Sequence, residues 1–235
     1  REKEYIEGSG AYKLNEWITG QRVVLERKGN WWGDQLAGEN CYFEANAPSI
    51  NYQTINDQTT ALVALKSGNL DVMRGIKAKD FVALPESKKF TDNFNSHTPM
   101  QLAYTYVGIN MRLPKFQDKR VRKAIAHLFD VEKQIETISY GMGQRVVGPI
   151  HPSNEKAYND TITPYEFSPE KAKALLKEAG WEDTDGDGVL DNEIDGERVP
   201  FNIEFSYNSG NDSRKAVALL FQEEARKVGI NVNVT

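Results

Sequence analysis

Apolar and polar residues alternate along parts of the chain with the spacing of β-strands. Residues 22–27 (RVVLER) predict a strand, and the alternation in residues 50–55 predicts a strand with one buried face. Residues 70–73 predict another short strand. The strongest strand pattern is in residues 102–109 (LAYTYVGI), whose run of apolar and aromatic side chains predicts burial on both faces.

Four apolar stripes with helical spacing follow residues that can cap the start of a helix. The capping residues are Asp57, Asp118, Asp130 and Ser168. Ser168 is followed by a proline at the first helical position and an acid in the first turn, which is the pattern expected of a helix start. Glycines at or near the ends of these stripes, such as Gly68 and Gly180, predict where the helices end.

The end of the chain predicts a strand, a helix and a second strand in succession. The strands cover residues 201–207 and 230–234, and the helix is capped near Asn211 or Asp212 and ends at Gly229. This order and length are typical of a right-handed parallel crossover, so the fold class is mixed α/β. Because the chain stops directly after the second strand, we expect it to continue in a longer protein.

Composition narrows the range of functions. The chain has 235 residues, of which 39% are hydrophobic, and its net charge of -5 comes from 34 acidic and 29 basic residues spread along its length. No basic stripe is available for a phosphate backbone, so nucleic acid is not an expected partner. No apolar run approaches a membrane span. Cys41 is the sole cysteine, which excludes a disulfide framework, and we expect it to fill a small gap in the core.

One acidic loop has part of a calcium-binding pattern. Asp183, Asp185 and Asp187 occupy its positions 1, 3 and 5, a glycine follows at position 6, and Asp191 is at position 9. Position 12 is Ile194, where an EF-hand places a glutamate. The same residues also suit an Asp/Gly turn between a helix and a strand, so a structural turn and a calcium site both remain open.

Signatures of catalysis are missing from the sequence. The three histidines, His97, His127 and His151, lack the close spacing of a helical zinc motif, and His127 is expected at the surface or its boundary. The chain has no Gly-x-Ser-x-Gly elbow, no phosphate-binding glycine loop and no dinucleotide fingerprint. A hydrolase would need an activated nucleophile beside a base, and we therefore predict that the chain is not an enzyme.

Several phrases, in order and with matching gaps, resemble the family 5 extracellular solute-binding proteins of ATP-driven importers. Residues 8–14 (GSGAYKL) resemble the family's Gly-Thr-Gly-Pro-Tyr segment, with Ala11 in place of the proline. Residues 64–71 (ALKSGNLD) resemble Ala-Leu-x-Ser-Gly-Glu-Ile-Asp. Residues 116–124 (FQDKRVRKA) resemble Phe-x-Asp-x-Arg-Val-Arg-x-Ala, and residues 168–181 (SPEKAKALLKEAGW) also have a family counterpart.

The resemblance implies a fragment of a periplasmic-binding-protein-like fold (type II, class C), with a mixed sheet flanked by helices. Residues 1–76 would be the end of a first lobe and the approach to the hinge, and residues 77–235 most of a second lobe, truncated at its end. It also implies an exported, monomeric protein, periplasmic or at the cell surface. Contact with a membrane would be only through a lipid anchor outside this fragment.

The implied function is the capture of a small ligand, most simply an oligopeptide, for delivery to the permease of an ABC importer. Tyr104, Tyr106 and Asn110 are the candidate ligand contacts, because their strand lies where the family approaches its cleft. The alternative for the tyrosines is a structural role in a core strand. The alternative function is a calcium-stabilised extracellular interaction module without a transport role, and no cofactor other than calcium is expected.

Overall fold

The computed structural model describes residues 8–235, and the chain divides into two compact units, residues 1–77 and 78–235. Residues 1–7, at the start of the predicted first-lobe segment 1–76, lie outside the described residues. The assignment of residues 1–76 and 77–235 to two lobes stays a prediction.

Within residues 8–77, the first unit contains a three-stranded antiparallel sheet and one α-helix. The strands are β1 (Tyr12–Ile18), β2 (Arg22–Arg27) and β3 (Ser49–Gln53), with β2 in the middle. The prediction for residues 22–27 is confirmed. β1 was not predicted: its residues alternate between partly covered and exposed, but the polar Glu16 takes a covered position and Trp17 an exposed one, so the sequence shows no apolar–polar alternation there.

The helix of the first unit, α1 (Gln58–Lys66), begins as predicted. The Asp57 carboxylate accepts a hydrogen bond from the Thr60 backbone N–H at 2.7 Å. Ala61, Leu62 and Leu65 are buried, which confirms the predicted apolar face.

Three expectations for the first unit are wrong. Residues 70–73 form no strand, and Val72 is 78% exposed, because no strand in the described part of the unit pairs with this run. Cys41 is exposed, since it begins a short 3₁₀ turn at the surface. The strand predicted for residues 50–55 is present as β3, but its predicted buried face is wrong, because Ile50 is the one residue of β3 that is partly covered.

The second unit combines six helices and four strands. The helices are α2 (Ala78–Val82), α3 (Lys88–Thr91), α4 (Lys119–His127), α5 (Val131–Thr137), α6 (Pro169–Glu178) and α7 (Asp212–Lys227). The strands are β4 (Asp191–Ile194), β5 (Glu197–Pro200), β6 (Asn202–Phe205) and β7 (Asn231–Val234). β4 pairs antiparallel with β5, and β6 pairs parallel with β7, which confirms the predicted strand-helix-strand order. Among residues 8–235, no helix has the length and apolar character needed to cross a bilayer.

Local hydrogen bonds explain why the helices of the second unit start where they do. The side chains of Asp118, Asp130, Ser168 and Asn211 each accept a hydrogen bond from a backbone N–H two or three residues further on. The three caps predicted at single positions are confirmed, and of the two alternatives for α7 it is Asn211 that caps the helix.

The core of the second unit lies between α4, α6, α7 and the β6–β7 pair. Val121, Leu128 and Leu176 are fully buried there, together with Phe201. The rings of Trp181 and Phe201 stack within this core, 4.1 Å apart between centroids. This packing holds β6 and β7 in place beside the region where the predicted ligand contacts lie.

The strand predicted for residues 102–109 is absent, and so is its burial. Leu102 is 77% exposed and Tyr106 is 73% exposed, while Ile109 is the one residue of the run that packs partly against the core. No strand of the described residues pairs with this segment. A run of strand-forming residues that has no neighbouring strand to pair with is left exposed.

Candidate functional site

A groove of about 960 Å³ opens in the second unit. It is lined by residues 104–110 and by residues of β6, β7 and α7. Its lining includes the aromatic side chains of Phe129 and Phe221, which stack at 4.5 Å between ring centroids. A lining of apolar side chains with a few polar groups is typical of pockets that bind small ligands.

All three predicted ligand contacts lie along this groove. The rings of Tyr104 and Tyr106 are 5.6 Å apart between centroids and tilted by 36°. Asn110 lies at the end of the same segment, where its side-chain oxygen accepts a hydrogen bond from the Arg112 backbone N–H at 3.1 Å. Tyr104 is 46% exposed and Tyr106 is 73% exposed, so neither ring is packed in the core of the described residues.

Charged groups of both signs face the groove. Lys115 donates a hydrogen bond to the Asn202 backbone carbonyl, and partial burial lowers the pKa of the Lys115 amine. Glu204 projects from β6 and accepts a hydrogen bond from the side chain of Asn233 at 3.3 Å. Arg214, in the first turn of α7, also lines the groove. A ligand with its own positive and negative groups would find partners for both.

The sequence did not single out Lys115, Glu204 or Arg214. A signal for Arg214 was present, because ligands of α/β sheets gather at the carboxyl ends of strands and Arg214 follows the predicted strand 201–207. Lys115 carried no comparable signal, since its position in the groove depends on how the chain folds back onto β6.

The signature in residues 116–124 has a structural role. Arg120 binds the carboxylate of Asp118, with 2.6 Å between Nη2 and Oδ2, and donates to the Glu178 carbonyl at the end of α6. Arg122 donates to the Phe116 and Gln117 carbonyls at 2.8 Å and 2.7 Å. The hydrogen bond from Arg120 holds the pKa of the Asp118 carboxyl below its usual range. The motif therefore joins α4 to its neighbours.

The acidic loop brings together three of the four predicted metal ligands. Carboxylate oxygens of Asp183, Asp185 and Asp187 lie within 4.8 Å of one another. Asp183 accepts hydrogen bonds from two backbone N–H groups, those of Gly186 at 2.8 Å and Gly188 at 3.0 Å. These bonds are the ones expected of a structural turn.

The fourth predicted ligand, Asp191, faces a different set of partners. It is buried, accepts hydrogen bonds from Thr184, and forms an ion pair with Arg198. Burial works to raise the pKa of the Asp191 carboxyl, but the hydrogen bonds from Thr184 and the charge of Arg198 outweigh it, so that the pKa is lowered. Asp191 thus holds the loop to the β4–β5 hairpin.

Two of the three histidines, His127 and His151, form hydrogen bonds within the second unit. His127 is buried rather than at the surface, with Nδ1 2.8 Å from the Glu166 carbonyl and its ring edge-on to Tyr165. His151 Nδ1 lies 2.8 Å from the Ser153 hydroxyl. Within residues 8–235, the aspartates of the acidic loop are the one group of three or more side chains placed to hold a metal ion.

Comparison with known proteins gives a consistent result over the whole chain. Residues 1–235 match the family described as bacterial extracellular solute-binding proteins, family 5 middle. The oligopeptide-binding protein AppA of Bacillus subtilis (strain 168) is 32% identical over 228 residues, which are 96% of this chain and 38% of that protein.

The comparison with solved structures agrees with the sequence comparison. AppA from Bacillus subtilis in complex with a nonapeptide aligns with a TM-score of 0.67 and 31% identity, covering 96% of this chain and 42% of AppA. NikA from Brucella suis in complex with Fe(III)-EDTA aligns with a TM-score of 0.75 and 26% identity, covering 97% of this chain and 43% of NikA. The chain thus spans roughly two fifths of the length of the relatives that it matches.

Proposed function

The chain belongs to the bacterial extracellular solute-binding proteins of family 5, and from this premise we propose that it is part of a protein that captures an oligopeptide for an ABC importer. The whole protein closes two lobes on its ligand and delivers it to a membrane permease. Residues 77–235 supply most of the second lobe and part of the ligand surface. The protein acts outside the cytoplasm, as the family description states.

The groove beside residues 104–110 is the observation that carries the proposal. Tyr104 and Tyr106 offer two ring faces, and Asn110 offers an amide at the end of the same segment. Aromatic faces and amide groups contact peptide backbones and apolar side chains without demanding one sequence. The groove also holds charged groups of both signs, which suits a zwitterionic ligand such as a peptide.

Relatives support the choice of ligand class without deciding it. AppA, whose structure holds a nonapeptide, is more similar in sequence to this chain than NikA, whose structure holds Fe(III)-EDTA. We therefore favour a peptide over a metal chelate. Binding requires no bond to be broken, and in this proposal the protein is not an enzyme, works as a monomer and uses no resident cofactor. The acidic loop then serves as a turn.

A thermal-shift screen of the full-length protein tests the ligand class. Peptides of two to six residues, oligosaccharides and nickel chelates are added separately, because a ligand that binds only the native state raises the melting temperature. We expect a rise with peptides alone. A rise with nickel chelates or oligosaccharides but none with peptides would contradict the proposed ligand, and no rise with any class would contradict the transport role.

A further inference from the structure

Three Asp-Gly bonds lie close together in the sequence of the second unit. Two are in the acidic loop, Asp185-Gly186 and Asp187-Gly188, and the third, Asp195-Gly196, is the turn between β4 and β5. An Asp-Gly bond is open to rearrangement, because glycine has no side chain to shield its nitrogen from the neighbouring carboxyl group. The three bonds join the same residue types, so the fold around each one decides how readily it reacts.

In the acidic loop, one side chain holds both glycine N–H groups. The Asp183 carboxylate accepts hydrogen bonds from Gly186 at 2.8 Å and from Gly188 at 3.0 Å. Hydrogen bonds to an ionised acceptor are roughly twice as strong as those between neutral groups. The negative charge also opposes loss of the amide proton, which has to leave the nitrogen when that nitrogen attacks a carboxyl group.

The two carboxyl groups that would react in this loop are held as well. Asp185 accepts a hydrogen bond from the Asp187 N–H at 3.2 Å, and Asp187 accepts one from the Val189 N–H at 2.7 Å. Each carboxylate thus binds the N–H two residues further on, beyond its own glycine. Attack at either position would have to break these bonds together with those to Asp183.

The hairpin turn has none of these restraints. Among residues 8–235, neither the Asp195 carboxylate nor the Gly196 N–H has a hydrogen-bond partner. Both residues are exposed, and no atom lies within 4 Å of the place where a side chain would begin on Gly196. Asp195 also has φ 54°, a left-handed conformation that is uncommon for a residue with a side chain. An exposed hairpin tip of this kind opens at low cost.

We propose that Asp195-Gly196 is a site of spontaneous isoaspartate formation and that Asp183 protects the two Asp-Gly bonds of the acidic loop. When the turn opens, the Gly196 nitrogen attacks Cγ of the protonated Asp195 carboxyl group. A C–N bond forms, and the hydroxyl group leaves as water with the amide proton. Water then adds back to the cyclic imide. Opening at the backbone carbonyl breaks the original peptide bond and leaves the chain joined through Cγ, whereas opening at Cγ restores aspartate.

The rearrangement changes the hairpin that closes the acidic loop. Isoaspartate adds one carbon to the backbone of the turn, next to the pair formed by Ile194 and Glu197. Arg198 follows in β5 and binds Asp191. None of residues 191–200 lines the groove, so the rearrangement is independent of the proposed ligand binding.

Peptide mapping of aged full-length protein by mass spectrometry tests the assignment. Electron-transfer fragmentation distinguishes isoaspartate from aspartate at each bond, and a chelator keeps cations from occupying the acidic loop. We expect isoaspartate to form at Asp195 at least about tenfold faster than at Asp185 or Asp187, since a hydrogen bond to a charged group lowers the reactive population by at least that factor. In urea-unfolded protein the three rates should be comparable.

The variant Asp183→Ala tests the protection of the loop. It frees both glycine N–H groups, so the rates at Asp185 and Asp187 should rise at least about tenfold while the rate at Asp195 stays the same. Asp160→Ala, an exposed aspartate elsewhere in the second unit, is the matched control and should change none of the three rates. The folded and unfolded forms of the unmodified protein can be compared whether or not the variant folds.

Three outcomes would overturn the proposal. The first is an equal rate at all three bonds in the folded protein. The second is the same ratio of rates in the folded and the unfolded protein, which would assign the difference to flanking sequence and not to the fold. The third is unchanged protection of Asp185 and Asp187 in Asp183→Ala, which would remove the protective role of Asp183.

Discussion

The carboxylate of Asp191 accepts hydrogen bonds from both the backbone N–H and the hydroxyl of Thr184, at 3.1 Å and 2.9 Å. The two residues lie at opposite ends of the acidic loop, so this contact closes the loop on itself. Arg198, from β5, binds the same carboxylate. Asp191, which the sequence predicted as a possible calcium ligand, therefore joins the acidic loop to the β4–β5 hairpin.

The variant Asp191→Asn should lower the melting temperature by roughly 2–6 °C at neutral pH, because it removes the ion pair with Arg198 and weakens the bonds from Thr184. Differential scanning calorimetry measures the change. Asp195→Asn, at an exposed turn position of the same hairpin, is the matched control and should leave the melting temperature unchanged.

The difference in melting temperature between the unmodified protein and the Asp191→Asn variant should also depend on pH. The pKa of Asp191 is lowered in the folded state, so its stabilising contribution is present above the ordinary aspartate pKa and is lost as pH falls through the folded value. The two melting curves should converge only in acid, below a pH of about 3.8, the usual aspartate value. Convergence near neutral pH would show that the carboxylate is not bound as described.

Calcium should have little effect on stability if the acidic loop is a turn. Asp183 already accepts two backbone hydrogen bonds, so we expect 10 mM calcium and a chelator to give the same melting temperature. A site with a dissociation constant near 0.1 mM would instead add about 2.7 kcal/mol at that concentration. A calcium-specific rise that magnesium does not reproduce, and that Asp187→Asn abolishes, would contradict the turn.

Arg122→Ala should destabilise the second unit without weakening ligand binding. Arg122 holds two backbone carbonyls of the turn before α4, and its loss leaves both without that donor. Lys119→Ala, an exposed position on the same helix, is the control. Urea unfolding and a binding titration are compared for both variants. A loss of affinity at unchanged stability would give Arg122 a role at the ligand instead.

Phe221→Ala should cost about 3–5 kcal/mol in the free energy of unfolding, because Phe221 is 2% exposed and stacks on Phe129. Leu219→Ala on the same helix changes a side chain that is 45% exposed, and should cost less than about 0.5 kcal/mol. Chemical denaturation of both variants measures the difference. Equal losses in the free energy of unfolding for the two variants would mean that α7 packs against the core through a different face.

Helix starts could be predicted from the sequence because they depend on neighbours in the chain. Asp57, Asp118, Asp130 and Ser168 each cap a helix through a backbone group only two or three residues away. One local signal was overlooked: Asp195-Gly196, both with positive φ, forms the two-residue turn of the β4–β5 hairpin.

Strands were predicted less well because they depend on distant partners. Residues 22–27 have strands on both sides and were predicted correctly, whereas residues 70–73 have none among the described residues. For the site, the family resemblance indicated the segment that holds Tyr104 and Tyr106. It could not indicate Lys115 or Glu204, which join the groove only through tertiary folding.

Isothermal titration calorimetry on the full-length protein, with a peptide from the ligand screen, tests the central claim most directly. The account predicts saturable binding to one site, weakened at least about tenfold by Tyr106→Ala, a loss typical of a residue that carries binding energy. Tyr42→Ala, a tyrosine that is 86% exposed in the first unit, should bind as the unmodified protein does. Equal affinities for all three proteins, or no binding of peptide at all, would contradict it.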